Sequence, residues 1–330
     1  MRRIGFILCF LSALCAHISS YAQQRAVVNS STVFLHSGPD SESPLETQEL
    51  MGRTVEIVRK QGYWYWIKVG QPYEAWAQDS SLALMDSVEF AAYLHSPKYI
   101  YTALHGHALE SAETGAKPVC ELVSGDILRK SLNSRGKAER KGAFRGVTLP
   151  DGRKAWVNGR DMEDLALWGA RITRMSPEEK VESYIALSEK MLGSAYMWGG
   201  MSSKGVDCSG LVRWSALMSG LSLPRNCSQQ ILCGEAVPFS YGDDGMPRLS
   251  CLKRGDLVFV GSFREDGKAK PRHVMIYLGD GKVIHSSKIV RVNSIVPGTP
   301  DCYEHFNEII AVRRISKKCV SLQKFSEYEP

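Results

Sequence analysis

The spacing of apolar residues changes character once along this chain, and that change limits the folds open to it. Between residues 25 and 165 the apolar residues alternate or cluster at strand length, as in Val55-Glu56-Ile57-Val58 and Tyr65-Trp66-Ile67-Lys68-Val69, with Gly70 and Pro72 punctuating the second run. Helical spacing is scarce there until Ser87 to Leu94. Small β-barrels are the expected product. From residue 175 the pattern is helical. Ser176 stands as N-cap, Pro177 at the first helical position and Glu179 two further on, followed by apolar Val181, Tyr184, Ile185 and Leu192, and Gly193 ends the run. Beyond Arg254 strands return, at Asp256 to Val260, His273 to Leu278, Lys282 to His285 and Ile309 to Arg314. Helices first and an antiparallel sheet afterwards predict an α+β domain.

A chain of 330 residues exceeds one ordinary domain. A weak internal repeat supports two copies of the upstream β unit: Glu74-Ala75-Trp76-Ala77 recurs as Lys154-Ala155-Trp156-Val157, each followed by a polar stretch. Trp64, Trp66, Trp76 and Trp156 read as barrel core rather than as a ligand platform. The first residues read as a secretory leader: Arg2 and Arg3, the apolar run Ile4 to Ala16, then Ser20-Tyr21-Ala22 as a small-x-small cleavage site, so that the mature chain starts near Gln23. That run is too short for a spanning helix. An exported protein without an integral membrane segment after leader removal is expected. Two charges of the net +6 belong to the leader, and the balance does not imply nucleic-acid binding. Leader removal takes Cys9 and Cys15 and leaves an odd set of cysteines: Cys120, Cys208, Cys227, Cys233, Cys251, Cys302 and Cys319. At least one thiol is therefore free for chemistry. No cofactor is expected, because no residue cluster has metal-ligand spacing.

Cys208 is the thiol best placed for such chemistry. Asp207-Cys208-Ser209-Gly210 follows the glycine-rich Trp198-Gly199-Gly200 and precedes Leu211, Val212, Trp214, Ala216, Leu217 and Met218 at helical spacing. A cysteine at a helix N-terminus meets unsatisfied N–H groups and the helix dipole, which favour the thiolate. A thiol nucleophile also needs an imidazole. Of the eight histidines, His273 and His285 lie in predicted strands of the sheet that follows the cysteine helix, joined by a turn at Gly279-Asp280-Gly281. Strand parity decides whether the two rings meet. A three-residue loop pairs Leu278 with Lys282 and Met275 with His285, putting both rings on one face, whereas a two-residue Asp-Gly loop turns His285 to the other. The three-residue loop is predicted, with His273 as general base and His285 orienting it.

The motifs Tyr196-Met197-Trp198-Gly199-Gly200, Asp207-Cys208-Ser209-Gly210-Leu211-Val212, Gly255-Asp256-Leu257-Val258-Phe259, and His273-Val274 followed by Val283-Ile284-His285, occur in the order of the NlpC-type (p-sixty) cell-wall cysteine peptidase family, which residues 175 to 315 resemble. The upstream pair resembles bacterial SH3-like domains. The resemblance implies a leader over 1–22, SH3-like domains over 23–95 and 96–170, and a papain-like catalytic domain over 171–330. It further implies a Cys208, His273, His285 triad hydrolysing the γ-D-glutamyl to diamino acid bond of murein-derived peptides. Tyr196, Trp198, Asp207 and Ser209 match substrate-facing positions, and Tyr73 resembles a tyrosine with which the first SH3-like domain caps the cleft and selects short peptides with a free N-terminal L-alanine. For the acidic partner of that ammonium, Asp207 fits best, with Glu46 or Glu74 assisting. A monomer is expected. Hydrolysis of intact wall, a wall-binding module with an idle catalytic unit, and acyl transfer through the same thioester are the alternatives.

Overall fold

The computed structural model describes residues 24–69 and 73–315. The leader, Cys319 and Lys317-Lys318 lie outside the described residues, as does the punctuating Gly70 to Pro72.

The upstream β region forms two sheets. Seven antiparallel strands, from Gln24–Val28 to Leu82–Met85, make the first. Alternating residues such as Val33, Leu35, Val55, Ile67, Ala75 and Ala77 fill its core. Eight strands, from Lys98–Tyr101 to Met162–Asp164, make the second, around Leu122, Leu128, Val147, Ala155 and Val157. The repeated tetrapeptides occupy equivalent places. Strand Tyr73–Gln78 leads through a 3-10 turn at Asp79–Ser81 into Leu82–Met85 and then helix Ser87–His95. Strand Lys154–Asn158 leads through a 3-10 turn at Gly159–Asp161 into Met162–Asp164 and then helix Leu165–Arg174. Asp86 and Asp164 cap the two helices with their carboxylates. Trp76 is buried, whereas Trp64, Trp66 and Trp156 are half-buried.

The sheets are joined through Met51, whose side chain packs in the second core. Its N–H donates to the buried carboxylate of Asp126 at 3.1 Å, and the Ile127 N–H donates back to the Met51 carbonyl at 2.9 Å.

Helix Pro177–Lys190 opens the third unit with the capping box its sequence specifies: Ser176 Oγ accepts from the Glu179 N–H, and Glu179 reaches back to the Ser176 N–H. The wholly buried helix Cys208–Met218 follows. Both pack on a six-stranded antiparallel sheet ordered Glu235–Val237, Ile309–Arg314, Leu257–Phe263, Ala269–Gly279, Lys282–Ser287 and Ile289–Ser294. One sheet face meets the helices through Leu257, Phe259, Val274, Ile276 and Ile284. The other packs Val258, Val260, Met275 and Tyr277 against Ile295 and Tyr303. The architecture is α+β, as the order of periodicities predicts. A boundary at 170/171, however, cuts helix Leu165–Arg174. Trp168 and Ile172 on that helix belong to the core of the third unit, so the helix is shared.

Candidate active site

The Cys208 helix begins where Asp207 holds extended backbone, with φ −85° and ψ −177°, and accepts the Gly210 N–H at 2.7 Å. Gly210 has a steric reason. A Cβ there would lie 1.9 Å from the Gly200 carbonyl oxygen, so glycine alone lets the glycine-rich loop rest on the first helical turn. Cys208 occupies the first helical position and is buried, and its sulfur receives the backbone N–H groups of Ser209 and of Val274, the residue after His273.

The two imidazoles meet: His273 Nε2 and His285 Nδ1 are 2.8 Å apart. The predicted three-residue loop does not form. Asp280 and Gly281 make a two-residue turn with positive φ at both positions (49° and 74°), and Gly279 pairs with Lys282. Such a turn alone would send His285 to the wrong face. A bulge between Tyr277 and Gly279 inserts one residue and restores the parity, so that Tyr277 pairs with Val283 and Ile276 with Ile284. Carried one step further, this register sets His285 opposite Met275, on the same face as His273.

One side chain beyond the histidines, Asn293, fixes the protons. Asn293 Nδ2 donates to the Asp301 carbonyl at 2.8 Å, which leaves its Oδ1 as acceptor for His285 Nε2 at 2.9 Å. His285 therefore carries its proton on Nε2 and accepts on Nδ1. His273 must then donate from Nε2, which leaves its Nδ1 as the free base. Tyr303 stacks on His273, with ring centroids 5.9 Å apart, and meets His285 edge-on at 5.1 Å. Neither Asn293 nor Tyr303 was anticipated from sequence. For Asn293 a signal existed in the alternation of strand Ile289–Ser294, where it follows Arg291 by two.

Burial dominates the electrostatics. It pushes the Cys208 thiol up to about 12, aided by the Asp207 carboxylate and Cys227 and opposed by the Val274 and Ser209 N–H groups. It pushes His273 down to about 3, with His285 and Arg272 adding to the effect. Burial likewise lowers His285 to about 4, against the Asn293 hydrogen bond that raises it. Burial thus opposes the thiolate expected at the helix mouth, because desolvation outweighs the helix N-terminus here. A neutral His273 with a lone pair on Nδ1 can take a proton as the sulfur attacks.

The other residues singled out in the sequence divide. Tyr196 is half-buried near Cys208, and burial pushes its phenol up to about 12. Trp198 is exposed. Asp207 and Ser209 are buried, and both Asp207 oxygens serve protein partners: Oδ1 accepts from Gly210 N, Ser209 Oγ and Arg225 Nη1, and Oδ2 from Gly199 N and Arg225 Nη2. Tyr73 donates to Glu46 Oε2 at 2.9 Å and also bonds Asn226. Glu74, by contrast, accepts from Trp66 Nε1 at 2.8 Å. The strand carrying Glu46, Leu45–Leu50, rests on the glycine-rich loop: Gln48 Oε1 accepts the Met201 N–H at 2.8 Å, and a Cβ on Gly199 would lie 2.8 Å from Leu45 Cγ.

Residues 193–310, which hold Cys208, His273 and His285, match the NlpC/P60 family, and residues 35–82, which hold Glu46 and Tyr73, match the bacterial dipeptidyl-peptidase Sh3 domain. A γ-D-glutamyl-L-lysine dipeptidyl-peptidase from Bacillus cereus is 30% identical over 278 residues, spanning 79% of this chain and 73% of that relative. Dipeptidyl-peptidase 6 from Lysinibacillus sphaericus is 23% identical and is covered over 92% of its length by 82% of this chain. The crystal structure of an NlpC/P60 family protein from Bacillus cereus shares the fold, with a TM-score of 0.66 over 88% of this chain and 99% of that one at 24% identity. On these likenesses the chain belongs to the NlpC/P60 family and is a cysteine peptidase.

Proposed function

We propose that this peptidase hydrolyses the γ-D-glutamyl to diamino acid bond of short murein stem peptides that carry a free N-terminal L-alanine. Cys208 is the nucleophile, His273 the general base and His285 the group that orients it. As Cys208 Sγ bonds to the scissile carbonyl carbon, its proton passes to His273 Nδ1, and the carbonyl oxygen takes the negative charge beside the Cys208 N–H. Collapse breaks the carbon–nitrogen bond, and the same proton leaves on the diamino acid's amine. Water then attacks the thioester, with His273 again as base, and releases L-Ala-γ-D-Glu and the free thiol.

One observation carries the substrate reading: the Tyr73–Glu46 pair of the first sheet lies against Asn226, next in sequence to the Arg225 that binds the nucleophile's N-cap. Glu46 and Tyr73 are read as the clamp on the substrate ammonium. Asp207 is displaced from that task, since its oxygens are engaged within the protein. Glu46 Oε1 has no partner among the described residues. A peptide whose L-alanine bears glycan offers no ammonium and would collide with this wall, whereas a released stem peptide fits. Tyr196, Trp198 and Ser209 line the approach to the thiol in this reading. The bacterial Sh3 match and the repeated strand–turn–strand–helix unit support two SH3-like domains, over 23–95 and 96–170, ahead of the catalytic domain. Action on murein-derived peptides also fits export by the N-terminal leader.

The test is product analysis with L-Ala-γ-D-Glu-diamino acid tripeptide, with its amino terminus free or acetylated. Cleavage of the free peptide at the γ-D-glutamyl bond, lost on acetylation and in Cys208→Ala, is expected. Equal turnover of both peptides would assign the enzyme to intact wall instead. Activity surviving Cys208→Ala would remove the nucleophile, and inactivity of the wild type would favour a wall-binding module.

A further inference from the structure

Arg225 is a buried cation in the loop after the Cys208 helix, its side chain only 4% exposed. All five of its N–H donors are used. Nε donates to Thr47 Oγ1 at 2.8 Å, Nη1 to Asp207 Oδ1 and Ser209 Oγ at 3.0 Å each, and Nη2 to Asp207 Oδ2 at 2.6 Å and the Gly200 carbonyl at 3.4 Å. Its acceptors come from three places: a strand of the first sheet, the glycine-rich loop, and the first turn of the Cys208 helix. A guanidinium alone has the fork that serves all three at once, since a lysine ammonium is a point charge with three donors.

We infer that Arg225 is a positioning residue that ties the Thr47 strand of the first sheet to the N-cap of the nucleophile helix, so that the first sheet helps to build the reaction centre as well as to line the cleft. The inference rests on Cys208 being the nucleophile. Asp207 immediately precedes Cys208, and its carboxylate stands unfavourably near the sulfur as negative charge develops there. The bidentate ion pair with Arg225 offsets that charge and holds Asp207 in the rotamer that caps the helix. The cap in turn aims the Cys208 N–H. Thr47 follows Glu46 on the same strand and, by strand alternation, faces the other way, so neighbouring residues of one strand serve the substrate ammonium and the nucleophile. A shift of the first sheet would disturb both.

The experiment compares Arg225→Gln, Arg225→Lys and Thr47→Val with wild type, using steady-state kinetics on the free tripeptide and the rate of iodoacetamide alkylation of Cys208 at pH 8, read by peptide mass spectrometry. Arg225→Gln is expected to lower kcat by 100-fold or more with KM changed less than threefold, and to slow alkylation about tenfold, because the unpaired Asp207 charge disfavours the thiolate. Arg225→Lys keeps the charge, so alkylation stays within twofold of wild type while kcat falls about tenfold for want of the fork. Thr47→Val lowers kcat about fivefold and leaves alkylation unchanged. Unchanged or faster alkylation in Arg225→Gln would reduce Arg225 to a packing role and overturn the inference, and a wild-type kcat in Thr47→Val would overturn the part assigned to the first sheet. If Arg225→Gln does not fold, Arg225→Lys decides: wild-type kcat there overturns the proposal. Because alkylation needs no substrate, it separates a failure of the tie from a failure of the substrate assignment, which the tripeptide products report.

Discussion

Asn293 carries no charge, yet its amide decides which nitrogen of His273 is basic. Its Nδ2 is committed to the Asp301 carbonyl, and the two imidazole protons follow from that one bond. Asn293→Ala frees His285 to adopt either tautomer. The expected result is a loss in kcat of about 10²-fold with KM within twofold, smaller than the roughly 10⁴-fold seen for full tautomer reversal in a serine triad. The lowered imidazoles also predict a pH effect on stability. His273 and His285 bind protons in the native state only near pH 3 and 4, whereas the unfolded chain binds them near 6.5. Between those limits the unfolded state holds more protons, so stability is complete above pH 6.5 and is lost as pH falls toward 4. Thermal melts of His285→Gln should show a shallower decline over that window than wild type, and identical slopes would contradict burial of a neutral His285. Cys208, His273 and His285 could be singled out in the sequence because each sits in a local motif. Arg225 and Asn293 could not. Arg225 reaches Thr47 across 178 positions, and no local pattern encodes such a contact.

The hairpin between the histidines shows how elements carry that information. Asp-Gly specified a two-residue turn, and the hydrophobic pattern specified the faces, but the two demands differ by one residue. The bulge at Leu278-Gly279 reconciles them. Gly279 sits at φ +98°, where a side chain is strained although the surrounding space is open. Gly279→Ala should therefore cost about 1 kcal/mol in chemical denaturation and lower kcat by more than that loss explains, because a strand without the bulge turns His285 away. Loss of stability with full activity would mean that the register does not depend on the bulge. Strand and helix identities in the catalytic unit were readable from periodicity and caps, the Ser176–Glu179 box above all. The 170/171 boundary falls inside helix Leu165–Arg174, whose membership depends on the partners of Trp168 and Ile172, a tertiary fact.

Across the whole molecule, hydrogen bonds tie the two upstream sheets to the Cys208 helix and the loops beside it. The second sheet holds the first through Met51 and Asp126, the first lays its Leu45–Leu50 strand on the glycine-rich loop, and Trp214 of the Cys208 helix donates back to the Ser124 carbonyl of the second sheet at 3.2 Å. The two β units could be read from a repeated tetrapeptide, but their contacts with the Cys208 helix and the glycine-rich loop could not, since these run through backbone groups and buried polar side chains. The most direct measurement of the central claim is acid quenching of the enzyme during turnover of L-Ala-γ-D-Glu-diamino acid tripeptide, followed by peptide mass spectrometry. The account predicts an L-Ala-γ-D-Glu acyl group on the peptide containing Cys208, absent in Cys208→Ala. Turnover with the acyl group on another residue would contradict it.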